Sequence, residues 1–155
     1  PVTTDIPVMP QSRFTAKLNK QLVRKLEDVR SNLMSRTELL LDARPAGRFA
    51  GTEPEVWPNR RAGHIPHALN VPFASLLGSD QTLKEGDDLQ ACFAGIDLAQ
   101  PLTASCGSGV SACVLALGLH ELGHANVAVY DGSWAEWGLE GANHPVETGT
   151  LSKAG

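Results

Sequence analysis

The apolar positions divide this chain into segments of different period. Leu18, Leu22, Leu26, Val29 and Leu33 recur at spacings of 4, 4, 3 and 4, which sets them along one face of an amphipathic helix. Lys17, Lys20, Arg24, Lys25 and Arg30 then fall on its wet side as a solvated charged face. Glu38–Arg44 (ELLLDAR) is a short apolar run closed by an acid and a base. It reads as a buried strand whose polar residues emerge at the carboxyl end. Gly, Pro and charge dominate 45–66, the composition of an excursion loop. His67–Pro72 (HALNVP) reads as a second strand stopped by Pro72. Phe73–Leu77 predicts one or two helical turns, and Asp87–Ala94 a short helix carrying Cys92. Leu102–Cys106 (LTASC) reads as a third strand, and Val110–Leu122 as a helix ended by Gly123. Val127–Asp131 (VAVYD) is a fourth strand, followed by Gly132 and a Trp-rich turn, SWAEW. The helix at 110–122 is apolar on nearly all sides, which predicts deep packing. Strands alternating with helices predict βαβ units: an α/β fold with a central, mainly parallel sheet and helices on both faces.

Composition narrows the picture. The 155 residues, 42% hydrophobic and 19% charged, suit one domain with enough core to fold without disulfide or metal staples. Three cysteines, Cys92, Cys106 and Cys113, cannot pair completely. That points away from a disulfide scaffold and toward a reducing, cytoplasmic setting with a reactive thiol. The net charge of −4 offers no surface for nucleic acid or anionic membrane. The longest apolar stretch, Ala112–Leu119, falls far short of the ~20 residues of a membrane span. Residues 1–15 read as an extended Pro-rich arm. Its opening, PVTTDIPVMP, lacks the regions of a signal peptide and starts on Pro without Met, the mark of a fragment or processed chain.

The candidate chemistry lies in Ser105-Cys106-Gly107-Ser108-Gly109-Val110-Ser111. A strand ends at the cysteine, two glycines follow, and a helix begins. Backbone N–H groups at such a helix start are unpaired, and the glycines let them curl into a nest for an anion. The helix dipole adds to that field, which favours thiolate over thiol. In open α/β sheets the reactive crevice lies at the carboxyl ends of the strands, where Asp42 and Arg44 also arrive. The bland alternative is a buried core thiol beside a tight turn. Cys92 and Cys113, inside helices, are expected to be packing thiols. A cysteine phosphatase would place an arginine six residues after the nucleophile, where Ala112 stands. Sulfur attacked by sulfur needs no such clamp, only a thiolate, N–H donors and a nearby cation. His64 and His67, and His120 and His124, have metal-like spacings, but no acid or cysteine completes a set and Gly123 interrupts the second pair. His64 is expected to bond loop backbone, and Trp134 and Trp137 to pack the core and anchor loops.

CGSGVSAC (106–113) resembles the active-site loop of mercaptopyruvate sulfurtransferases, in the rhodanese superfamily. DARPAGRF (42–49), GTEPE (51–55), GHIPHALNVPF (63–73) and YDGSWAEW (130–137) resemble segments of that family's catalytic C-terminal domain. FTAKLNKQLVRKLEDVRSNL (14–33) is similar to the linker before it. The likeness implies an N-terminal arm and linker helix over 1–36, a rhodanese-like catalytic domain over 37–147 and a tail over 148–155. It also implies a further N-terminal rhodanese domain in the full protein.

By the same resemblance, Cys106 takes sulfur as a persulfide, cradled by Gly107, Ser108, Gly109, Val110 and Ser111. Arg48 binds the substrate carboxylate. Asp42 is the acid beneath the loop, with a purely structural role equally open. Ser108 donates to the substrate carbonyl oxygen. The donor implied is 3-mercaptopyruvate, with thiosulfate second. The acceptor is a small thiol, a thioredoxin-like protein or cyanide. No metal or organic cofactor is called for. The thiosulfate-using branch carries basic residues directly after the cysteine, and Gly107 and Ser108 supply none. One position departs: Trp57 stands where the family has a second substrate arginine, leaving Arg60 or Arg61 to reach in. A second class is a rhodanese-like binding or regulatory module with low activity when separated from its N-terminal domain. Trp57 favours that class, and Cys106 speaks against it.

Overall fold

The computed structural model describes residues 3–149. Residues 1–2 of the expected arm and 150–155 of the expected tail lie outside the described residues. Five strands form one sheet: β1 (Val23–Arg24), β2 (Leu39–Asp42), β3 (Leu69–Asn70), β4 (Leu102–Ser105) and β5 (Ala128–Tyr130). Their order is β1-β5-β4-β2-β3, and every neighbouring pair is parallel. Five helices join them: α1 (Leu26–Ser35), α2 (Ala46–Ala50), α3 (Gly86–Cys92), α4 (Val110–Glu121) and α5 (Ser133–Trp137).

Alternation along the strands sorts the core into two layers. On β2, Leu41 joins Leu76, Leu89, Phe93, Leu115 and Leu119 on the face covered by α3 and α4. Leu40 points the other way, toward Val29, Phe49, Tyr130, Trp134 and Trp137 from α1, α2, β5 and α5. The mainly parallel sheet with helices on both faces is therefore present. The chain runs from β2 outward to β3, then crosses to place β4 on the other side of β2. Strand order reverses between β2 and β4, and a crevice opens at their carboxyl ends at such a point.

The single amphipathic helix expected at 18–33 does not exist. A 3₁₀ turn (Lys20–Leu22) leads into β1, and only Leu26, Val29 and Leu33 share a helical face. Arg24 is not on a wet side: it pairs with Glu38 at 2.6 Å and is mostly covered. Burial pushes the Glu38 carboxyl up, but hydrogen bonds from Arg24 and Thr103 outweigh it and hold it below its usual range. Residues 3–19 carry neither helix nor strand. The excursion loop contains α2, the SWAEW turn is α5, and the second strand shrinks to two residues before Pro72.

Helix α4 also departs from expectation. It buries Ala112, Leu115, Gly118 and Leu119 but leaves Val110 and Leu117 exposed. Cys113 lies on that open side and is exposed, so it is not a core thiol, whereas Cys92 is half-buried against the α3–α4 layer. A helix on one sheet face has only one side to bury, whatever its composition. It ends as expected at Gly123, whose N–H reaches His120 O at 2.8 Å while His124 N reaches Leu119 O at 2.8 Å. Among the described residues no helix is long and apolar enough to cross a membrane.

Candidate active site

Cys106 follows the last residue of β4, beside the end of β2, where Asp42 faces Ser105 in the ladder. The loop that follows is held by its carbonyls. Cys106 O accepts from Trp134 N at 2.9 Å, and Gly107 O from Ala135 N at 2.8 Å. Both donors belong to the first turn of α5, whose N–H groups have no partner within the helix. With these carbonyls turned onto α5, the amides of Gly107, Ser108 and Gly109 find no acceptor among the described residues. Together with the open first turn of α4 they form a set of donors beside the sulfur, the arrangement that receives an anion. Gly109 closes the loop at φ +84°, and a β-carbon there would meet Asp131 O at 2.8 Å. Both the left-handed dihedral and the close backbone demand glycine.

Ser133 lies under Cys106 and was not singled out from the sequence. Its Oγ accepts from Cys106 N at 3.1 Å, donates to Tyr130 O at 2.7 Å, and sits 4.0 Å from Cys106 Sγ. A hydroxyl has one proton, and the short contact to Tyr130 O claims it. Ser133 thus fixes the backbone of Cys106 rather than protonating its sulfur. It is wholly buried with φ +49°, uncommon for a non-glycine residue. Its signal was a serine after Asp-Gly at the end of β5, the neighbour of β4. The Tyr130 side chain donates to Glu136 at 2.8 Å, and burial first, then this carboxylate, pushes its phenol up, so it stays neutral.

A pocket of about 210 Å³ opens over the sulfur. Its lining brings together Cys106, Gly107, Ser108, Val110 and Ser111 with Arg48 of α2 and Trp57. Cys106 itself is 1% exposed, Ser108 is exposed and Gly109 is buried behind the loop. Asp42 is not in that lining. Its carboxylate bonds Arg44 N at 2.9 Å, Nε at 3.1 Å and Nη2 at 2.7 Å. No bond runs from it to the loop amides. Arg44 continues to Glu55 at 2.7 Å and Gly63 O at 2.9 Å, and lies 4.4 Å over the Trp134 ring. Asp42 therefore acts on the loop at one remove, by holding the arginine that supports α5.

The idea that Arg60 or Arg61 reaches the pocket is not met. Arg60 bonds the carbonyls of Pro58 and Asn59, and Arg61 those of His144 and Trp137. His64 does bond backbone, though that of α2 rather than of a loop: Nδ1 donates to Phe49 O at 2.7 Å and its ring stacks on Phe49. Trp134 and Trp137 are buried and donate their indole N–H groups to Arg61 O and Pro145 O. They are core and anchor, as expected.

Fold and site together define a parallel α/β domain built to present a cysteine in a cage of backbone amides. The model of the rhodanese-like domain matches residues 19–140, and the chain belongs to that family. It is 46% identical over 126 residues to "Thiosulfate/3-mercaptopyruvate sulfurtransferase 2" of Arabidopsis thaliana, covering 80% of this chain and 37% of that protein. It is 43% identical over 141 residues to "3-mercaptopyruvate sulfurtransferase" of Escherichia coli (strain K12), covering 90% of this chain and 50% of that one. Among solved structures it is similar to SseA from Escherichia coli, with a TM-score of 0.68 and 41% identity over 81% of this chain and 47% of that one. The chain thus spans about half the length, or less, of these curated relatives.

Proposed function

We propose that this chain is the catalytic unit of a cysteine sulfurtransferase that takes sulfur from 3-mercaptopyruvate. The observation that carries the reading is the pocket in which Cys106, the open loop amides and Arg48 meet. The names and 41–46% identity of relatives support the same reaction class. The Cys106 thiolate attacks the donor's sulfur, and the new S–S bond forms as the S–C bond breaks. The electron pair of that bond passes to carbon as pyruvate enolate, which takes a proton to give pyruvate. Arg48 holds the carboxylate with a planar fork. Ser108, exposed at the pocket, donates to the carbonyl oxygen as charge gathers there. The loop amides hold the outer persulfide sulfur until an acceptor thiolate attacks it and restores the Cys106 thiolate.

Residues 37–147 form the proposed catalytic domain and 1–36 its arm and linker, although β1 and α1 from that stretch are built into the sheet and its covering layer. The length shared with relatives agrees with a partner rhodanese domain elsewhere in the full protein. The proposed acceptor is a small thiol or thioredoxin-like protein, and the free thiol chemistry suits a reducing, cytoplasmic setting. Release of pyruvate from 3-mercaptopyruvate with a thiol acceptor tests the reading. The intact protein should turn over and C106S should not; equal rates in both would end it.

A further inference from the structure

Arg48 lines the Cys106 pocket, yet among the described residues no side chain holds its guanidinium. Its aim is therefore set by its helix. Helix α2 has five residues, too few to stand on its own hydrogen bonds. The carbonyls at a helix end need partners from outside. Gly47 O and Arg48 O find theirs in the turn that follows, from Gly51, Thr52 and Glu53. Phe49 O and Ala50 O are met from farther along the chain. Phe49 O accepts from His64 Nδ1 at 2.7 Å, and Ala50 O accepts from Gly149 N at 2.8 Å.

Those two donors belong to one seat. The backbone of His64 pairs with Glu147 in an antiparallel bridge, at 2.8 Å from His64 N to Glu147 O and 3.0 Å from Glu147 N to His64 O. The backbones touch directly: a β-carbon on Gly63 would strike Glu147 O, and one on Gly51 would lie 3.0 Å from Gly63 N. Thr148 Cγ2 closes over both glycines, 3.3 Å from the first such β-carbon position at Gly51 and 3.0 Å from that at Gly63. The His64 ring lies flat on Phe49, with 3.7 Å between centroids and 9° between planes. His64 is 1% exposed and its Nε2 has no partner, so its bonds serve α2 and residues 146–149 alone. The Cys106 loop hangs instead on α5 and Ser133, and no hydrogen bond of residues 146–149 reaches it. We infer that His64, seated by residues 146–149, is a positioning residue for Arg48: it fixes the carboxyl end of α2 so that the guanidinium meets the donor's carboxylate over Cys106. This rests on the sulfurtransferase reading above.

The test measures kcat and KM for pyruvate release from 3-mercaptopyruvate, with a thiol acceptor, in wild type, H64F, H64N, T148G and each of H64F and T148G combined with R48A. H64F keeps a flat ring but leaves Phe49 O without its donor. It should raise KM about tenfold with kcat within about twofold. H64N returns an N–H to Phe49 O and should recover most of that loss. T148G removes an exposed methyl from the seat without threatening the fold, and should raise KM about threefold. It decides the matter if H64F does not fold. Combined with R48A, either change should add less than about twofold to the loss of R48A alone, because both act through one contact. Additive losses in the double variants, or KM within about twofold of wild type in every folded single variant other than H64N, overturn the inference. Absence of sulfur on wild-type Cys106 after 3-mercaptopyruvate would instead sink the sulfurtransferase reading itself, and mass spectrometry of the donor-treated protein separates those two failures.

Discussion

Arg44 and Arg48 are one helical turn apart in sequence and meet opposite fates. Arg44 is 1% exposed and spends its guanidinium on two carboxylates, a carbonyl and the face of Trp134. Arg48 lies on α2, half-buried, at the lining of the pocket over Cys106 and without such partners. The difference follows from position. Arg44 directly follows the end of β2, where the sheet supplies Asp42 and the returning loop supplies Glu55. Arg48 is carried one turn further, past Pro45, out to the rim. The same chemical group is a brace in one region and, in the function proposed above, a hand for a ligand in the other. Charge alone therefore does not mark a binding residue; uncommitted hydrogen-bonding capacity beside a nucleophile does.

The largest expected effect breaks the brace. Arg44→Met leaves Asp42 and Glu55 as unpaired buried carboxylates and should cost about 3–5 kcal/mol of stability, read by denaturant melts. A loss under about 1 kcal/mol would mean the network is dispensable. Breaking the hand should do the reverse. Arg48→Ala should leave stability within about 0.5 kcal/mol but lower kcat/KM for the carboxylate donor roughly ten- to a hundredfold, mainly through KM. If the two variants had matching profiles, the contrast between the arginines would be false.

The smallest effect sharpens the boundary between the regions. His64 stacks on Phe49 of α2 and is held below its usual range by burial, against the opposing pull of its bond to Phe49 O and the charges of Asp42 and Glu147. Its Nε2 has no partner within hydrogen-bonding distance. A histidine kept neutral by the fold stabilises fully above its ordinary value of 6.5, and that stability is lost as pH falls through the lower folded value. Melts between about pH 7.5 and 5 should show this acid slope, and H64N should flatten it. An unchanged slope in H64N would place the acid sensitivity elsewhere, with the Glu38–Arg24 pair next to examine by E38Q.

Much of the fold was legible because its signals are local. The three longer apolar runs, read to 44, 106 and 131, ended within two residues of the ends of β2, β4 and β5, and the glycines after Cys106 marked the turn into α4. What was missed depends on partners far along the chain. Leu22, Arg24 and Leu26 alternate inward in and beside β1, but an inward arginine looks solvated until Glu38, 14 residues later, is seen to receive it. Cys113 looked like core because α4 is apolar all round, yet the sheet offers that helix only one face to cover. At the site, Cys106, Arg48 and the loop were readable as a motif. Ser133 was not, because its meaning lies in two hydrogen bonds across the sheet. Nor was Trp57, a departure from pattern until its ring was found to fill the space beside Gly107.

The central claim is that Cys106 carries sulfur. Intact-mass measurement of the purified chain after treatment with 3-mercaptopyruvate tests it most directly. The structure predicts the gain of a single sulfur, located to Cys106, removed by DTT and absent in C106S, with neither the half-buried Cys92 nor the exposed Cys113 modified. An unchanged mass, or sulfur that persists in C106S, would contradict it.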